Sequence, residues 1–286
     1  MFANVNDVRL FFDVEGAEYV ADGPVLRRKP TVILLHGGPG ADHAVFKPEY
    51  SQLSDIAQVI YLDHRGNGRS DQSGPDHWNL AQWGDDLRGF CDALGIERPI
   101  IIGVSFGGFV AQAYATRHPD HIGGLVLVST AAKFDFDAMY QAFARIGGQA
   151  AGDAARRYWS QPTVESRMAY HEACFDLYTR APLDQGWAAR ITMKNDVALW
   201  FNGPENEQGR MDFRADLARV TCPAMVLGGA DDPVTPPAFS EVIAASLPPG
   251  ADLRIFDECG HGVVADQPDA GFGAMRDFIE NMPALG

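Results

Sequence analysis

In Ile100-Ile101-Ile102-Gly103-Val104-Ser105-Phe106-Gly107-Gly108, a short apolar strand runs directly into a Gly-x-Ser-x-Gly motif. A helix rich in small residues is predicted to follow at once. In this arrangement a sharp strand-to-helix turn raises one hydroxyl above the end of a sheet. Gly103 and Gly107 leave room where strand and helix come too close for side chains. The stretch therefore predicts a nucleophile at Ser105, at a helix N-terminus that favours an anion.

Alternating apolar and amphipathic segments extend this pattern along the chain. Runs of β-branched and aliphatic residues predict strands at residues 8–14, 31–35, 58–62, 99–104, 125–129, 224–228 and 252–256. Helical spacing predicts helices at residues 80–94, 106–117, 237–246 and 270–282. Such alternation predicts the α/β class, with a mostly parallel sheet and helices on both of its faces.

The middle of the chain departs from the alternation. Strand signals disappear there, and helical segments rich in aromatic and charged residues are predicted at residues 140–146, 154–159, 164–180 and 185–201. A helical insertion between two strands of one sheet predicts a lid over the carboxyl edge of that sheet. We therefore expect an α/β core formed by residues 1–130 and 216–286, and a helical cap formed by residues 131–215.

Composition limits the partners of the chain. The net charge of −15 argues against nucleic acid and anionic membrane surfaces. No apolar run approaches the length of a membrane span, and no secretory leader is visible at the start. Four scattered cysteines without a Cys-x-x-Cys pair are typical of reduced, mostly buried thiols in a cytoplasmic protein. No metal or nucleotide motif is present, so we expect a small-molecule or short-peptide substrate, and neither a metal nor a cofactor.

Polar residues follow the predicted strands, where ligands of open α/β sheets bind. Ser105, then Asp231 and Asp232, then His261 follow three of these strands, in the chain order Ser…Asp…His. Histidine titrates near neutral pH, so His261 can take the proton of Ser105 while a carboxylate orients the imidazole. Position after a strand does not distinguish Asp231 from Asp232 as the source of that carboxylate. Asp135, which follows an earlier strand, is a third candidate for the same role.

The loops beside these residues carry supporting predictions. A developing oxyanion needs two fixed donors, which we assign to the backbone N–H groups of Gly38 and Phe106. His36 is expected to shape the loop of Gly38 by hydrogen bonding. Asp63 and Arg65 are expected to form a structural turn with an ion pair.

Five segments together resemble the α/β-hydrolase superfamily, and more narrowly the proline iminopeptidase-type serine peptidases (family S33). These segments are His36-Gly37-Gly38-Pro39-Gly40, residues 63–70 (DHRGNGRS), residues 103–108 (GVSFGG), residues 229–236 (GADDPVTP) and Gly260-His261. In similar sequences the acid stands three residues after the glycine and four before the proline. The resemblance therefore implies Asp232 as the catalytic acid.

The resemblance extends into the predicted cap. The segment at residues 202–207 (NGPENE) is similar to a segment in some of these aminopeptidases, where a glutamate holds the free α-amino group of the substrate. It implies Glu205 and Glu207 as substrate-binding residues, although the simplest alignment places the glutamate at Asn206. Trp200 is a further candidate for substrate binding. Pro233 stands where those enzymes often carry a second glutamate.

Three functions follow from these patterns. The leading one is a serine hydrolase that acts through an acyl-enzyme on small peptides or amides with a free N-terminus. An alternative is a carboxylesterase or lactonase that uses the same triad, which the missing second glutamate favours. A third is a non-hydrolytic descendant such as a lyase, a cofactor-free oxygenase or a ligand receptor, and the intact serine, acid and histidine argue against the receptor.

Overall fold

Eight strands of the computed structural model, which describes residues 1–182 and 186–282, form one central sheet. The strands along the chain are β1 (Phe2–Val5), β2 (Val8–Glu15), β3 (Tyr19–Asp22), β4 (Val25–Arg28), β5 (Thr31–Leu35), β6 (Gln58–Leu62), β7 (Ile100–Val104), β8 (Gly124–Val128), β9 (Ala224–Gly229) and β10 (Asp252–Phe256). The sheet order is β1-β2-β6-β5-β7-β8-β9-β10, and β3 and β4 form a separate hairpin. Strands β5 to β10 run parallel, whereas β1 and β2 are antiparallel, so the predicted mostly parallel sheet is confirmed.

Helices cover both faces of this sheet, as predicted. They are α1 (Leu80–Leu94), α2 (Phe106–Arg117), α3 (Phe136–Gly147), α4 (Gln149–Ser160), α5 (Val164–Cys174), α6 (Trp187–Arg190), α7 (Asn195–Phe201), α8 (Glu207–Arg210), α9 (Pro237–Ser246), α10 (Val263–Asp266) and α11 (Pro268–Glu280). Alternate residues of β5 enter two different cores. Ile33 and Leu35 pack on the side of α1, α2 and α9, whereas Val32 and Leu34 pack on the side of α11.

Helices α3 to α8 lie between β8 and β9, and we refer to them and their connections as the lid. Two helix predictions here were wrong. The helix predicted at 164–180 ends at Cys174, and the one predicted at 185–201 is interrupted; its first residue, Gln185, lies outside the described residues, as do residues 283–286 of the predicted core. The interruption has a tertiary cause, because Thr192 N–H donates to Asp42 (3.0 Å) and Lys194 N–H donates to the Gly40 carbonyl (2.7 Å).

Within the described ranges, no helix has both the length and the apolar character needed to cross a membrane.

Candidate active site

The parallel register brings the ends of the central strands to one edge of the sheet. Leu35 of β5 lies opposite Gly103 of β7, and Val104 lies opposite Val128 of β8. Strands β8 and β9 are in register in the same way, and Phe256 of β10 lies opposite Gly229 of β9. The loops that follow these strands therefore share the carboxyl edge, where the sequence placed its polar residues.

Ser105 occupies a strained turn between β7 and α2. Its backbone has φ 54° and ψ −117°, outside the regions that a side chain ordinarily prefers. The turn is fixed from β8, because Ser105 N–H donates to the Val128 carbonyl (2.9 Å) and the Thr130 hydroxyl donates to the Ser105 carbonyl (2.8 Å). The hydroxyl is thus held at the head of α2, above the end of the sheet.

The glycines beside Ser105 are required by close approach. A Cβ atom on Gly103 would lie 2.5 Å from the carbonyl oxygen of Gly107. One on Gly107 would overlap the carbonyl of Leu35 in the neighbouring strand. The strand-to-helix turn seen in the sequence therefore has the tight geometry that its glycines predicted.

His261 and Asp232 are joined by a short hydrogen bond. The imidazole Nδ1 lies 2.8 Å from Asp232 Oδ2, and Asp232 is fully buried. Asp232 also accepts bonds from the N–H groups of Val234 (2.8 Å) and Thr235 (2.9 Å), and from the Thr235 hydroxyl (2.7 Å). An ionised carboxylate only accepts, so Nδ1 carries the proton and Nε2 is left as the basic nitrogen.

The other two acids that the sequence left open have different partners. Asp231 forms an ion pair with Arg180 (2.7 Å) at the surface. Asp135 caps helix α3 by accepting a bond from Ala138 N–H (3.0 Å). Contact with His261 therefore distinguishes Asp232 from both. Among the described residues, no hydrogen bond joins the Ser105 hydroxyl to His261.

The loop after β5 lies against Ser105. A Cβ atom on Gly37 would be 3.4 Å from Ser105 Cβ and 3.9 Å from Ser105 Oγ, so Gly37, the residue before Gly38, approaches the serine side chain. His36 donates from Nδ1 to the Gly37 carbonyl (2.8 Å) and accepts at Nε2 from His64 N–H (3.3 Å). These two bonds fix the neutral tautomer, and burial lowers the pKa of His36 below its usual range. His36 thus has the shaping contacts expected of it.

The expected ion pair between Asp63 and Arg65 is wrong. Asp63 accepts instead from the backbone N–H (2.8 Å) and the imidazole Nδ1 (2.7 Å) of His43. Burial opposes ionisation of Asp63, but the bond from His43 holds its pKa below the usual range. Arg65 pairs with Asp86 (2.6 Å) and Asp7 (2.8 Å). The two side chains leave the loop in different directions, which a sequence pattern does not encode.

One cluster of potential metal ligands lies beside this loop. Atoms of Asp42, His43 and Asp63 fall within 4.8 Å of one another. Their oxygens already accept protein hydrogen bonds, because Asp42 binds the Arg69 guanidinium (3.0 Å) and Asp63 binds His43 and Arg69 N–H. These side chains therefore stabilise the loop after β5 through hydrogen bonds within the protein.

Cys259 lies two residues before His261 and is fully buried. Burial raises the pKa of its thiol to about 12, so the thiolate is not formed near neutral pH. All four cysteines are free thiols and three of them are buried, as the sequence predicted.

The candidate substrate-binding residues of the lid either bind other parts of the protein or are exposed to solvent. Glu207 accepts a bond from Leu80 N–H (3.1 Å) at the start of α1, and its other oxygen pairs with Arg210 (3.5 Å). Glu205 is exposed, and Trp200 is 48% exposed. None of the contacts made by these three residues involves Ser105 or His261 within the described part of the chain.

Aromatic rings connect the lid to the nucleophile turn. Phe201 of α7 lies 5.1 Å from Phe106 and 6.1 Å from Phe109, measured between ring centroids. Phe134 lies 6.3 Å from Phe109 and 5.3 Å from Phe239, which follows the Asp232 loop. The five phenylalanines form a buried apolar cluster, which includes Phe106, the residue after Ser105 (the phenylalanine cluster). Their spacing along the chain offers no periodic signal that could have found them.

Comparisons with known proteins agree with this architecture. A family model described as the alpha/beta hydrolase fold matches residues 30–268. The putative carbamate hydrolase RutD of Caulobacter sp. (strain K31) is 29% identical, over 95% of this chain and 98% of its own. The proline iminopeptidase PfmaB of Pestalotiopsis fici is 28% identical, over 94% of this chain and 99% of its own.

A solved structure shows the same fold. The enol-lactonase from Burkholderia xenovorans LB400 superimposes with a TM-score of 0.73 at 24% identity, over 98% of this chain and 100% of its own. The family match spans most of the chain, and the parallel sheet carries the strand-to-helix turn at its centre. The chain therefore belongs to the α/β-hydrolase fold family.

Proposed function

We propose that this hydrolase acts through an acyl-enzyme, with Ser105 as nucleophile, His261 as general base and Asp232 as the orienting carboxylate. The observation that carries the proposal is the buried bond between His261 Nδ1 and Asp232 Oδ2, at the edge of the sheet where Ser105 is held. That bond presents Nε2 of the imidazole as the acceptor that a serine hydroxyl needs.

Each step of the proposed reaction uses a named group. Ser105 Oγ forms a bond to the substrate carbonyl carbon while its proton passes to His261 Nε2. The imidazolium then gives this proton to the leaving group as the carbonyl re-forms and the bond between the carbonyl carbon and the leaving group breaks. Water next attacks the acyl carbon while His261 takes its proton, and the acid leaves as the bond to Ser105 Oγ breaks and Oγ recovers a proton from His261. The N–H groups of Gly38 and Phe106 stabilise the oxyanion, and each contributes roughly 3 kcal/mol. Asp232 stabilises the imidazolium in both halves.

We further propose small esters or lactones with an apolar acyl group as the substrate class. The phenylalanine cluster supports this, because an ammonium group placed in apolar surroundings without a carboxylate loses its hydration. Glu207 is engaged at the start of α1, and Glu205 is exposed, so neither supports an amine site in this conformation. An aminopeptidase is the second candidate, favoured by the proline iminopeptidase relative that matches 94% of the chain.

Covalent labelling tests the nucleophile. A fluorophosphonate should label the wild type stoichiometrically, whereas Ser105→Ala should lose labelling and at least about 10⁴-fold of turnover. Ser129→Ala is the matched control, because Ser129 is also a serine with positive φ (47°) that follows a strand at this edge. Labelling retained in Ser105→Ala would overturn the proposed nucleophile, and so would its loss in Ser129→Ala.

A paired substrate panel tests the class. Acetate and butyrate p-nitrophenyl esters are compared with prolyl and alanyl naphthylamides, each amide also in its N-acetylated form. We expect ester turnover, with kcat/KM higher for butyrate, and no amide turnover that depends on a free amine. Amide turnover that disappears on N-acetylation, and that Glu205→Gln or Glu207→Gln abolishes, would contradict the ester proposal and establish an aminopeptidase.

A further inference from the structure

A segment of the lid, residues 178–181 (the strap), lies directly on the loop that carries His261. The Tyr178 carbonyl accepts the N–H of His261 (2.6 Å) and the N–H of Gly262 (3.3 Å). The Tyr178 ring stands edge-on to the imidazole, with 5.3 Å between centroids. The lid therefore fixes the backbone of His261.

The glycines on either side of His261 reflect this contact. A Cβ atom on Gly262 would lie 2.6 Å from Thr179 Cγ2. One on Gly260 would overlap the carbonyl of Tyr178. The absence of side chains at Gly260 and Gly262 is thus what allows the strap to lie against His261.

One carboxylate holds the loop and the strap together. Asp266, at the end of α10, accepts the N–H of Gly260 at Oδ2 (2.7 Å). Its Oδ1 accepts the N–H groups of Arg180 and Ala181, both at 2.8 Å. Three backbone donors from two separate segments therefore converge on Asp266, and hydrogen bonds to an ionised acceptor are the stronger kind.

A second tie between strap and core is weaker. The Arg180 guanidinium pairs with Asp231 at 2.7 Å, but the two side chains are 53% and 35% exposed. Exposed ion pairs contribute little, because solvent screens them. The strap therefore depends on Asp266 more than on this pair.

We infer that Asp266 is a positioning residue for His261, acting through Gly260 on one side and through the strap on the other. The inference rests on the proposed function, in which His261 is the general base. Loss of one Asp266 acceptor frees either Gly260, directly before His261, or the strap, whose Tyr178 carbonyl accepts the His261 N–H. The imidazole loses its aim at Ser105 while the Asp232 contact and the phenylalanine cluster remain.

The test measures the effect of Asp266→Asn both in the wild type and in a His261→Ala variant, which lacks the proposed general base. Asparagine keeps the shape but offers one acceptor oxygen in place of two. We expect kcat for p-nitrophenyl butyrate to fall by roughly 10- to 100-fold, as for small misplacements of a catalytic group, with KM changed less than about twofold. The exposed Asp269→Asn, with the same charge change, should leave both constants unaltered.

In a His261→Ala background, Asp266→Asn should lower the residual turnover no further, because its effect passes through the missing imidazole. An equal fractional loss in both backgrounds would overturn the inference, and so would a rise in KM alone. If His261→Ala by itself keeps wild-type turnover, the proposed function fails instead. If Asp266→Asn does not fold, Asp266→Glu replaces it in the double-mutant cycle with His261→Ala. Glutamate keeps two acceptor oxygens but displaces them by one methylene.

Discussion

Replacing Asp86 with alanine should lower the free energy of unfolding by about 3 to 5 kcal/mol. Arg65 is fully buried, and its Nε and Nη2 atoms donate to the two oxygens of Asp86 at 2.6 and 2.7 Å. Asp7 accepts a further bond from Nη2 at 2.8 Å, but its side chain is 60% exposed. Removal of Asp86 leaves the buried guanidinium without its main partner, and this uncompensated, desolvated charge destabilises the folded state.

This free energy converts into a measurable change of Tm. At about 2.1 cal/mol/K of unfolding entropy per residue, 286 residues give about 0.6 kcal/mol/K. A loss of 3 to 5 kcal/mol then lowers Tm by about 5 to 8 °C. The matched control is Asp92→Ala on the same helix, because its partner Arg88 lies at 2.8 Å but both side chains are exposed to solvent. Such a pair contributes about 0.3 to 0.5 kcal/mol, which is less than about 1 °C.

Thermal and urea unfolding of the two variants side by side measures the difference. A shift for Asp86→Ala no larger than that for Asp92→Ala would refute the buried-charge reasoning. The same pair also supports the candidate site. The Arg65 carbonyl accepts from the side chain of Asn67 (2.8 Å), and Asn67 accepts Gly40 N–H (2.7 Å) in the loop after β5.

Two other positions give independent predictions. Burial, with Arg167 nearby, lowers the pKa of His171 to about 4, below the unfolded value of about 6.5. Its contribution to stability is therefore present above pH 6.5 and is lost as the pH falls from 6.5 towards 4, by about 2 kcal/mol at pH 5. His171→Phe should make Tm less dependent on pH over this interval, and an unchanged dependence would contradict the assignment. Gly260→Ala should lower kcat at least about 30-fold, because its Cβ would displace the strap, whereas Gly273→Ala, which meets nothing within 4 Å, should preserve activity. Equal kcat values for the two glycine variants would contradict this prediction, because they would show that the strap moves aside without affecting catalysis.

The sequence predicted the residues at strand ends well, and the reason is geometric. Helix α1 ends at Leu94 with Gly95 as its C-cap, and α2 runs from Phe106 to Arg117, as expected, because these boundaries depend on local residues. The parallel register of β5 to β10 then brings the loops after these strands to one edge. Chain order and local pattern therefore bring Ser105, His261 and the pair Asp231 and Asp232 to one edge before any contact is known, whereas the choice of Asp232 came from the family resemblance.

Contacts between side chains were predicted less well. The turn at Asp63 and Arg65 suggested an ion pair between near neighbours in sequence. In the fold, Arg65 reaches helix α1 and Asp63 reaches the loop after β5, so each finds a partner about twenty residues away. The hairpin of β3 and β4 was also missed, because its short, exposed strands lack the apolar runs that mark the buried ones. A pattern reports which residues can pair, whereas tertiary placement decides which do.

The segment at residues 202–208 shows why the substrate is harder to derive than the mechanism. Its polar side chains suggested recognition of a substrate amine. In the fold they bind the protein itself: Asn202 donates to the Tyr158 hydroxyl (2.8 Å), and Gln208 accepts from Trp159 Nε1 (3.0 Å). Glu207 reaches across to the N-terminus of α1. Glu207 caps α1 through Oε1 and pairs with Arg210 through Oε2, so a substrate amine would compete with both of these contacts for the carboxylate.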